Sequence, residues 1–221
     1  MTTFALIPGA GGQAWYWHRL VPELTERGHE ALAIELPAAD DSAGLAEYAD
    51  TVVDAIGDRS GVVLVAQSMG GFTAPLVCER IPVDLLVMLN AMVPAPAESP
   101  GDWWRNTHHS RPYQDFDVIR DFFHDVPPDI IAQAMAEGET PQSDTPFSEP
   151  WPLSKWPDVP TRFLQGVDDR FFPLGFQHRV VRDRLGIEID QMPGGHLVAL
   201  SQPEELAERL IDYLEEVKPA G

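Results

Sequence analysis

Ser68 is the first residue whose type and surroundings could do chemistry. It lies in Ala66-Gln67-Ser68-Met69-Gly70-Gly71, between an apolar run and an amphipathic segment. A serine at a tight strand-to-helix turn holds its hydroxyl above the sheet, where it can attack a carbonyl carbon. The small residues Ala66 and Gly70 allow such a turn to close, although Ala66 stands where the usual G-x-S-x-G pattern has glycine. The alternative is a serine that caps a helix, followed by packing glycines.

An acid and a histidine follow two later apolar runs. The acid lies in Gly166-Val167-Asp168-Asp169-Arg170 and the histidine in Gly194-Gly195-His196-Leu197. Side chains at the carboxyl ends of parallel strands point into the crevice where binding sites form. The G-x-x-D spacing favours Asp169 over Asp168, which could cap the turn. The alternatives are a surface Asx-turn for the acids and a solvated loop position for the histidine.

Together these three residues could act as a serine nucleophile, its base and an orienting acid. His196 would take the proton of Ser68 and later protonate the leaving group, while Asp169 would fix the tautomer of the imidazole. The oxyanion that forms on the attacked carbonyl needs two N–H donors. We assign one to the backbone of Met69, which follows the serine, and the other to Ala10 in the glycine-rich loop Pro8-Gly9-Ala10-Gly11-Gly12.

The elements that must position these groups alternate along the chain. Short apolar runs at 4–7, 31–36, 61–66, 85–89, 162–165 and 187–192 predict six strands, and the segments between them have helical spacing. Helices are predicted at 15–27, 45–56, from the serine motif to about residue 80, at 175–185 and at the end of the chain. A capping box, Ser201-Gln202-Pro203-Glu204, opens the last helix. This alternation predicts an α/β fold: a mostly parallel sheet of about six strands with helices on both faces.

The alternation of predicted strands and helices is interrupted between residues 94 and 160. This interval holds 12 of the 21 prolines and 9 of the 20 aromatic residues. A disordered linker would be poor in aromatic residues, so we predict an ordered cap at 94–160 inserted into a core formed by 1–93 and 161–221. Trp104, Phe122 and Phe123 are its candidate pocket residues. The alternative is a structural excursion that covers an edge of the sheet.

Composition limits the classes of partner. The chain has 221 residues, and its 15 basic and 35 acidic side chains give a formal charge of −20. Nucleic acid and anionic membranes would be repelled.

The single cysteine, Cys78, excludes an intrachain disulfide and indicates a core position. The N-terminus lacks the pattern of a signal peptide and no apolar run is long enough to span a bilayer, so we expect a cytoplasmic protein. The sequence leaves open whether it forms homo-oligomers.

Three segments resemble one family. Ile7 to Gly12, followed by Ala14-Trp15-Tyr16-Trp17, resembles the H-G-x-x-x-x-x-W-x-W region of plant methylesterases and hydroxynitrile lyases, a branch of the α/β-hydrolase superfamily. The stretch from Gly195 to Glu204 resembles the region of that family's catalytic histidine, and Asp169-Arg170 with Phe176-Gln177 resembles its acid region. The resemblance covers nearly the whole chain. It implies an α/β-hydrolase fold with a small cap, no cofactor, and cleavage of an ester or a cyanohydrin.

Departures from the family pattern favour hydrolysis. Pro8 stands where the family has the histidine of H-G, whose side chain buttresses the oxyanion loop. The lyases carry a lysine after the catalytic histidine and a threonine in the oxyanion loop, whereas this chain has Leu197 and Ala10. We therefore expect a serine hydrolase that works through an acyl-enzyme intermediate. The aromatic residues of the cap indicate an apolar pocket, so the expected substrate is a small, largely apolar carboxylic ester.

Other readings remain open. A thioesterase would use the same triad, and a small-molecule receptor could use the same scaffold without catalysis. The stretch Gly9 to Ala14 also fits G-x-G-x-x-G/A, with Glu35 at the end of the next strand, as in a dinucleotide-binding oxidoreductase. Three histidines and two aspartates in the cap could suggest a metal site, but their spacing matches no metal motif and we predict none. They are His108, His109, Asp115, His124 and Asp125.

Overall fold

The sheet contains six strands, all parallel, in the order β2-β1-β3-β4-β5-β6. The computed structural model describes residues 1–109, 116–138 and 141–217. The strands are β1 (Thr3–Ile7), β2 (Glu30–Ala33), β3 (Val62–Gln67), β4 (Leu85–Leu89), β5 (Thr161–Gly166) and β6 (Asp190–Met192). The predicted α/β class and strand number are confirmed.

Helices cover both faces of this sheet. Outside the segment between β4 and β5, the described helices longer than one turn are α1 (Leu20–Glu26), α2 (Leu45–Ile56), α3 (Gly70–Cys78), α8 (Leu174–Leu185) and α10 (Pro203–Val217). Alternate residues of β1 enter different clusters: Phe4 and Leu6 pack with α1 and α10, while Ala5 and Ile7 pack with α2, α3 and α8. Because both faces are buried, the strands are continuously apolar rather than alternating.

Among the described residues, four helices of 4 to 10 residues lie between β4 and β5, within the predicted cap at 94–160. They are α4 (Pro100–Asn106), α5 (Val118–Asp121), α6 (Pro128–Glu137) and α7 (Thr145–Ser148). Trp103 and Trp151 of this segment are almost fully buried, and their indole N–H groups donate to the carbonyls of Val93 and Phe72 at 3.0 and 3.2 Å. The cap therefore shares the core of the sheet, and its boundaries stay a prediction.

Two local predictions were wrong. The predicted helix at 15–27 is a 3-10 turn (Ala14–Trp17) followed by α1. Pro22 explains the break, because its ring clashes with the carbonyl four residues earlier unless it lies in the first turn. The capping box is not formed either: Ser201 ends helix α9 (Val198–Ser201), and its buried Oγ has no hydrogen-bond partner within the described part of the chain.

Strands β2 and β6 are shorter than predicted. After β2 the chain leaves the sheet and the N–H of Leu36 donates to the carbonyl of Gly12 at 2.8 Å. None of the helices in the described ranges is both long enough and apolar enough to cross a bilayer.

Steric limits at glycines test this packing. A Cβ on Gly71 would lie 2.0 Å from the carbonyl oxygen of Met92, so Gly71→Ala should lower the free energy of unfolding by at least ~2 kcal/mol. Gly175 in α8 is the matched control, because a Cβ there meets nothing within 4 Å. Gly175→Ala should be neutral or stabilise by up to ~1 kcal/mol. Urea unfolding followed by circular dichroism measures both, and equal effects would contradict the close packing of Gly71 against Met92.

Candidate active site

Ser68 lies on a strained turn between β3 and α3. Its φ is 52°, in the left-handed region that L-residues rarely adopt. Its carbonyl accepts the N–H groups of Gly71 and Met92 at 3.1 and 2.9 Å. A Cβ on Gly70 would lie 2.7 Å from the carbonyl oxygen of Pro8, so only glycine fits two residues after the serine. The turn therefore has the shape that the sequence motif predicts.

The loop after β1 runs directly beside this serine. A Cβ on Gly9 would lie 2.8 Å from the Cβ of Ser68 and 3.3 Å from its Oγ. The backbone N–H groups of Ala10 and Met69 donate to no acceptor within the described residues. Both residues line the cavity that Ser68 lines. Two uncommitted donors thus belong to residues that line the same cavity as Ser68, and their role as oxyanion donors stays a prediction.

Asp169 and His196 are in direct contact. The imidazole Nδ1 lies 2.8 Å from Oδ2 of Asp169, and both side chains are buried. Oδ1 of Asp169 accepts the N–H groups of Phe171 and Phe172 at 2.8 Å each. The turn after β5 therefore holds the carboxylate in one orientation and aims Oδ2 at the histidine.

The neighbouring acid points elsewhere. Asp168 is exposed, and its backbone N–H donates to the carbonyl of Gly194 at 3.0 Å. The geometry thus agrees with the choice of Asp169 over Asp168. Ser68 and His196 line the same cavity, although the serine hydroxyl makes no hydrogen bond within the described residues. Catalytic hydrogen bonds often tighten only when substrate is bound.

Asn90 supports the loop Gly194-Gly195-His196-Leu197, called the histidine loop below. The sequence reasoning missed this residue. Its Nδ2 donates to the carbonyls of Gly195 and His196 at 2.9 and 3.0 Å, and its Oδ1 accepts the N–H of Gly166 at 2.7 Å. Asn90 is fully buried with a φ of 44°. Asparagine tolerates this conformation better than most residues. A polar residue directly after the apolar run of β4 was the available signal.

Aromatic rings enclose the imidazole of His196. Phe122 stacks on it at 4.6 Å between ring centroids with an interplanar angle of 18°. Phe171 and Phe172 each contact it edge-on at 5.2 Å. The imidazole is therefore shielded from solvent except towards the cavity, and the exposed fraction of His196 is 1%.

The cavity at Ser68 has a volume of about 170 Å³. Its walls are mostly aromatic and apolar, and none of the described lining residues is Lys, Arg, Asp or Glu. The lining residues are Gly9, Ala10, Tyr16, Gln67, Ser68, Met69, Met92, Trp104, Phe116, Phe122, Phe147, Phe171, His196 and Leu197.

Two of the three predicted pocket residues are in this wall. Trp104 and Phe122 line the cavity, but Phe123 does not. Phe123 is 1% exposed and packs in a separate cluster with Leu197 and Leu200, because the chain turns at the end of α5 and sends adjacent rings in different directions. Tyr16 lines the cavity instead.

The dinucleotide alternative does not fit the loop after β1. The N–H of Gly11 donates to the side chain of Gln142 at 2.8 Å, and that of Ala14 donates to Glu35 at 2.6 Å. The loop leads into a 3-10 turn of four residues rather than an α-helix whose N-terminus could hold a pyrophosphate. Glu35 is thus bound to the loop instead of being free for a ribose.

His109, one of the cap histidines, has another partner. His109 Nε2 lies 2.8 Å from the carbonyl oxygen of Phe171, and its ring contacts Trp104 edge-on. Asp115 lies outside the described residues. Within the described ranges, His, Cys, Asp and Glu form no group that could hold a metal ion. Cys78, predicted in the core, is half-buried and packs against the core, and burial raises the pKa of its thiol to about 12.

Comparison with known proteins decides the family. The profile of the alpha/beta hydrolase family matches residues 4–209. The chain belongs to this family.

Individual α/β-hydrolases are similar over the full length. Polyneuridine aldehyde esterase of Rauvolfia serpentina is 23% identical over 248 residues, covering 95% of this chain and 94% of the relative. A pyrethroid hydrolase of Sphingobium wenxiniae is 24% identical over 246 residues, covering 96% and 88%. The crystal structure of polyneuridine aldehyde esterase superposes with a TM-score of 0.80 at 22% identity, covering 96% and 99%.

A plant methylesterase is also among the similar structures. MES16 from Arabidopsis superposes with a TM-score of 0.76 at 17% identity, covering 98% of this chain and 100% of the other. The resemblance to the plant methylesterase branch is confirmed.

Asn90 gives a test of the histidine support. Asn90→Gly should lower the free energy of unfolding by ~2–4 kcal/mol, because the N–H of Gly166 and the carbonyl of Gly195 lose their partner and the carbonyl of His196 keeps only Gln67. Asn90→Ala should cost ~1 kcal/mol more, because alanine is strained at positive φ. Urea unfolding of the two variants separates the hydrogen bonds from the backbone strain. Equal stability of Asn90→Gly and the parent protein would show that the three bonds contribute nothing.

Proposed function

We propose that this α/β-hydrolase is a serine esterase, with Ser68 as nucleophile, His196 as base and Asp169 as its orienting acid. The observation that carries the proposal is the 2.8 Å contact between Nδ1 of His196 and Oδ2 of Asp169. A hydrogen bond at Nδ1 leaves Nε2 as the ring nitrogen that can accept the serine proton. Relatives named as an esterase and a pyrethroid hydrolase support the reaction class.

The reaction then runs in two balanced halves. Oγ of Ser68 attacks the ester carbonyl, its proton moves to Nε2 of His196, and the alcohol leaves with that proton. Water then attacks the acyl-enzyme, gives a proton to the same nitrogen, and the carboxylic acid is released as Oγ regains it. The N–H groups of Ala10 and Met69 stabilise the oxyanion in both halves, a contribution of ~3–4 kcal/mol per donor in comparable sites.

Hydrolysis fits the cavity better than cyanohydrin cleavage. Leu197 and Ala10, which stand where the lyases have lysine and threonine, both line the cavity. An isobutyl and a methyl group offer no charge or hydroxyl to stabilise a leaving cyanide. This wall instead favours an uncharged, apolar group.

The size of the cavity supports a small substrate. A dry cavity of ~150 Å³ binds benzene, and drug-sized ligands need ~300–1,000 Å³. At about 170 Å³ the space beside Ser68 fits one small acyl or alcohol group. We therefore propose a short, largely apolar carboxylic ester as substrate.

Active-site labelling tests the nucleophile. Treatment with a fluorophosphonate should add one phosphonyl group to the parent protein and none to Ser68→Ala, as measured by intact-mass spectrometry. The kcat of Ser68→Ala or His196→Ala for a reactive acetate ester should fall by ~10⁴–10⁶. A folded parent protein that accepts no phosphonyl group would rule out an activated serine and favour the receptor alternative.

The adjacent acids form a matched pair. Asp169→Asn should lower kcat by ~10³–10⁴, because the amide cannot fix the imidazole in its productive tautomer. Asp168→Asn should leave kcat within twofold, because Asp168 is exposed and Nδ1 of His196 is bound to Asp169 instead. Steady-state kinetics measures both. The opposite ranking would assign the acid role to Asp168.

Chain length tests the substrate size. Across p-nitrophenyl acetate, butyrate and decanoate, kcat/KM should fall at least ~10-fold from butyrate to decanoate, because the cavity is close in size to one that holds benzene. Thioesters of the same acyl groups, measured beside them, decide between esterase and thioesterase. A preference for decanoate would contradict the proposed substrate class.

A further inference from the structure

Two cap side chains accept backbone N–H groups from the loops that carry the proposed catalytic groups. We propose that Asp125 and Gln142 are positioning residues. They hold the histidine loop and the loop from Pro8 to Gly12, called the oxyanion loop, in the geometry that catalysis needs. This inference rests on the proposed function, because it assigns a role relative to His196 and Ala10.

Asp125 binds the histidine loop. Its Oδ2 accepts the N–H of Gly195, the residue before His196, at 2.7 Å. A Cβ on Gly195 would lie 2.6 Å from Oδ1 of Asp125, so the cap packs directly on the loop backbone. Oδ1 itself is buried and has no partner within the described residues. A carboxylate with one oxygen unpaired is held in this place by its bond to Gly195.

The histidine loop is thus gripped from both sides. On the sheet side, Nδ2 of Asn90 donates to the carbonyl of Gly195 at 2.9 Å. On the cap side, Asp125 takes the N–H of the same residue, and Phe122 stacks on the imidazole. Both polar backbone groups of Gly195 are therefore committed, one of them to the cap.

Gln142 binds the oxyanion loop in the same way. Its Oε1 accepts the N–H of Gly11 at 2.8 Å, next to Ala10, while its Nε2 donates to the hydroxyl of Tyr48 at 3.2 Å. Pro8, at the start of this loop, has no polar side chain that could support it. The cap supplies the support instead.

Both loops need such support because of their composition. Gly194 and Gly195 precede the histidine, and Gly9, Gly11 and Gly12 surround Ala10. Glycine gives a loop more conformations to choose from than any other residue. A displacement of ~1 Å at a catalytic group can cost ~100-fold in rate. Loss of either contact should therefore reduce kcat more than it raises KM.

The test at Asp125 compares three variants in steady-state hydrolysis of p-nitrophenyl acetate. Asp125→Ala should lower kcat by ~10–100-fold with KM within threefold. Asp125→Asn should stay within threefold of the parent kcat, because its amide oxygen can still accept the N–H of Gly195. Asp129→Ala, at an exposed cap aspartate, is the control and should leave kcat unchanged. Asp125→Leu keeps the branched shape without an acceptor and replaces the alanine variant if that does not fold.

The test at Gln142 uses the same assay. Gln142→Met keeps the length of the side chain but cannot accept the N–H of Gly11, and its kcat should fall ~10-fold. Gln142→Glu keeps the acceptor and should recover most of that loss. Gln133→Met, at an exposed position of α6, is the matched control and should be neutral.

The outcomes separate this inference from the proposed function. A parent protein that neither hydrolyses the ester nor accepts a phosphonyl group on Ser68 overturns the proposed function. If the parent is active, folded Asp125→Ala and Gln142→Met variants with kcat within twofold of it overturn the positioning role alone. Equal losses in Asp125→Asn and Asp125→Ala would also overturn it at Asp125, because the acceptor would then not matter.

Discussion

The buried carboxylate of Asp169 is the constraint on which the site depends. Removing a charged carboxylate from water costs several kcal/mol unless donors replace the lost hydration. Its donors are the N–H groups of Phe171 and Phe172, Nε2 of Gln165 and Nδ1 of His196. Two of them are backbone groups of the turn after β5, so the turn must curl around the acid. The imidazole is then the donor that comes from a different strand end, and its position follows from where the carboxylate points.

The parallel sheet brings these groups together. Because all six strands are parallel, every connection from a strand to the next helix begins at the carboxyl ends of the strands, on the same side of the sheet. The glycine loop follows β1, Ser68 follows β3, Asn90 follows β4 and Asp169 follows β5. The close approach of Gly9 to Ser68 and of Gly70 to Pro8 allows these connections to touch. The crystal structure of polyneuridine aldehyde esterase, at 22% identity, shares this fold.

Features with a local signal could be predicted from the sequence. The apolar runs predicted the strands, and the residues flanking Ser68, Asp169 and His196 were sufficient to select them. Pro22 could also have been read as the reason that α1 begins late. Phe122 and Tyr16 line the cavity, whereas Phe123 and the tryptophans on either side of Tyr16 do not. This difference depends on the direction of single side chains in irregular segments. No periodic pattern reports that direction, and the partners of Asn90 lie far away along the chain.

The state of Cys78 has a practical consequence. Burial raises the pKa of its thiol to about 12, so the reactive thiolate is much scarcer at neutral pH than it is in a free thiol. It is the chain's one cysteine. Alkylating reagents should therefore modify the folded protein slowly and the unfolded chain fast. The rate of alkylation therefore reports, without any engineered label, how often the C-terminal end of helix α3, which holds Cys78, becomes accessible.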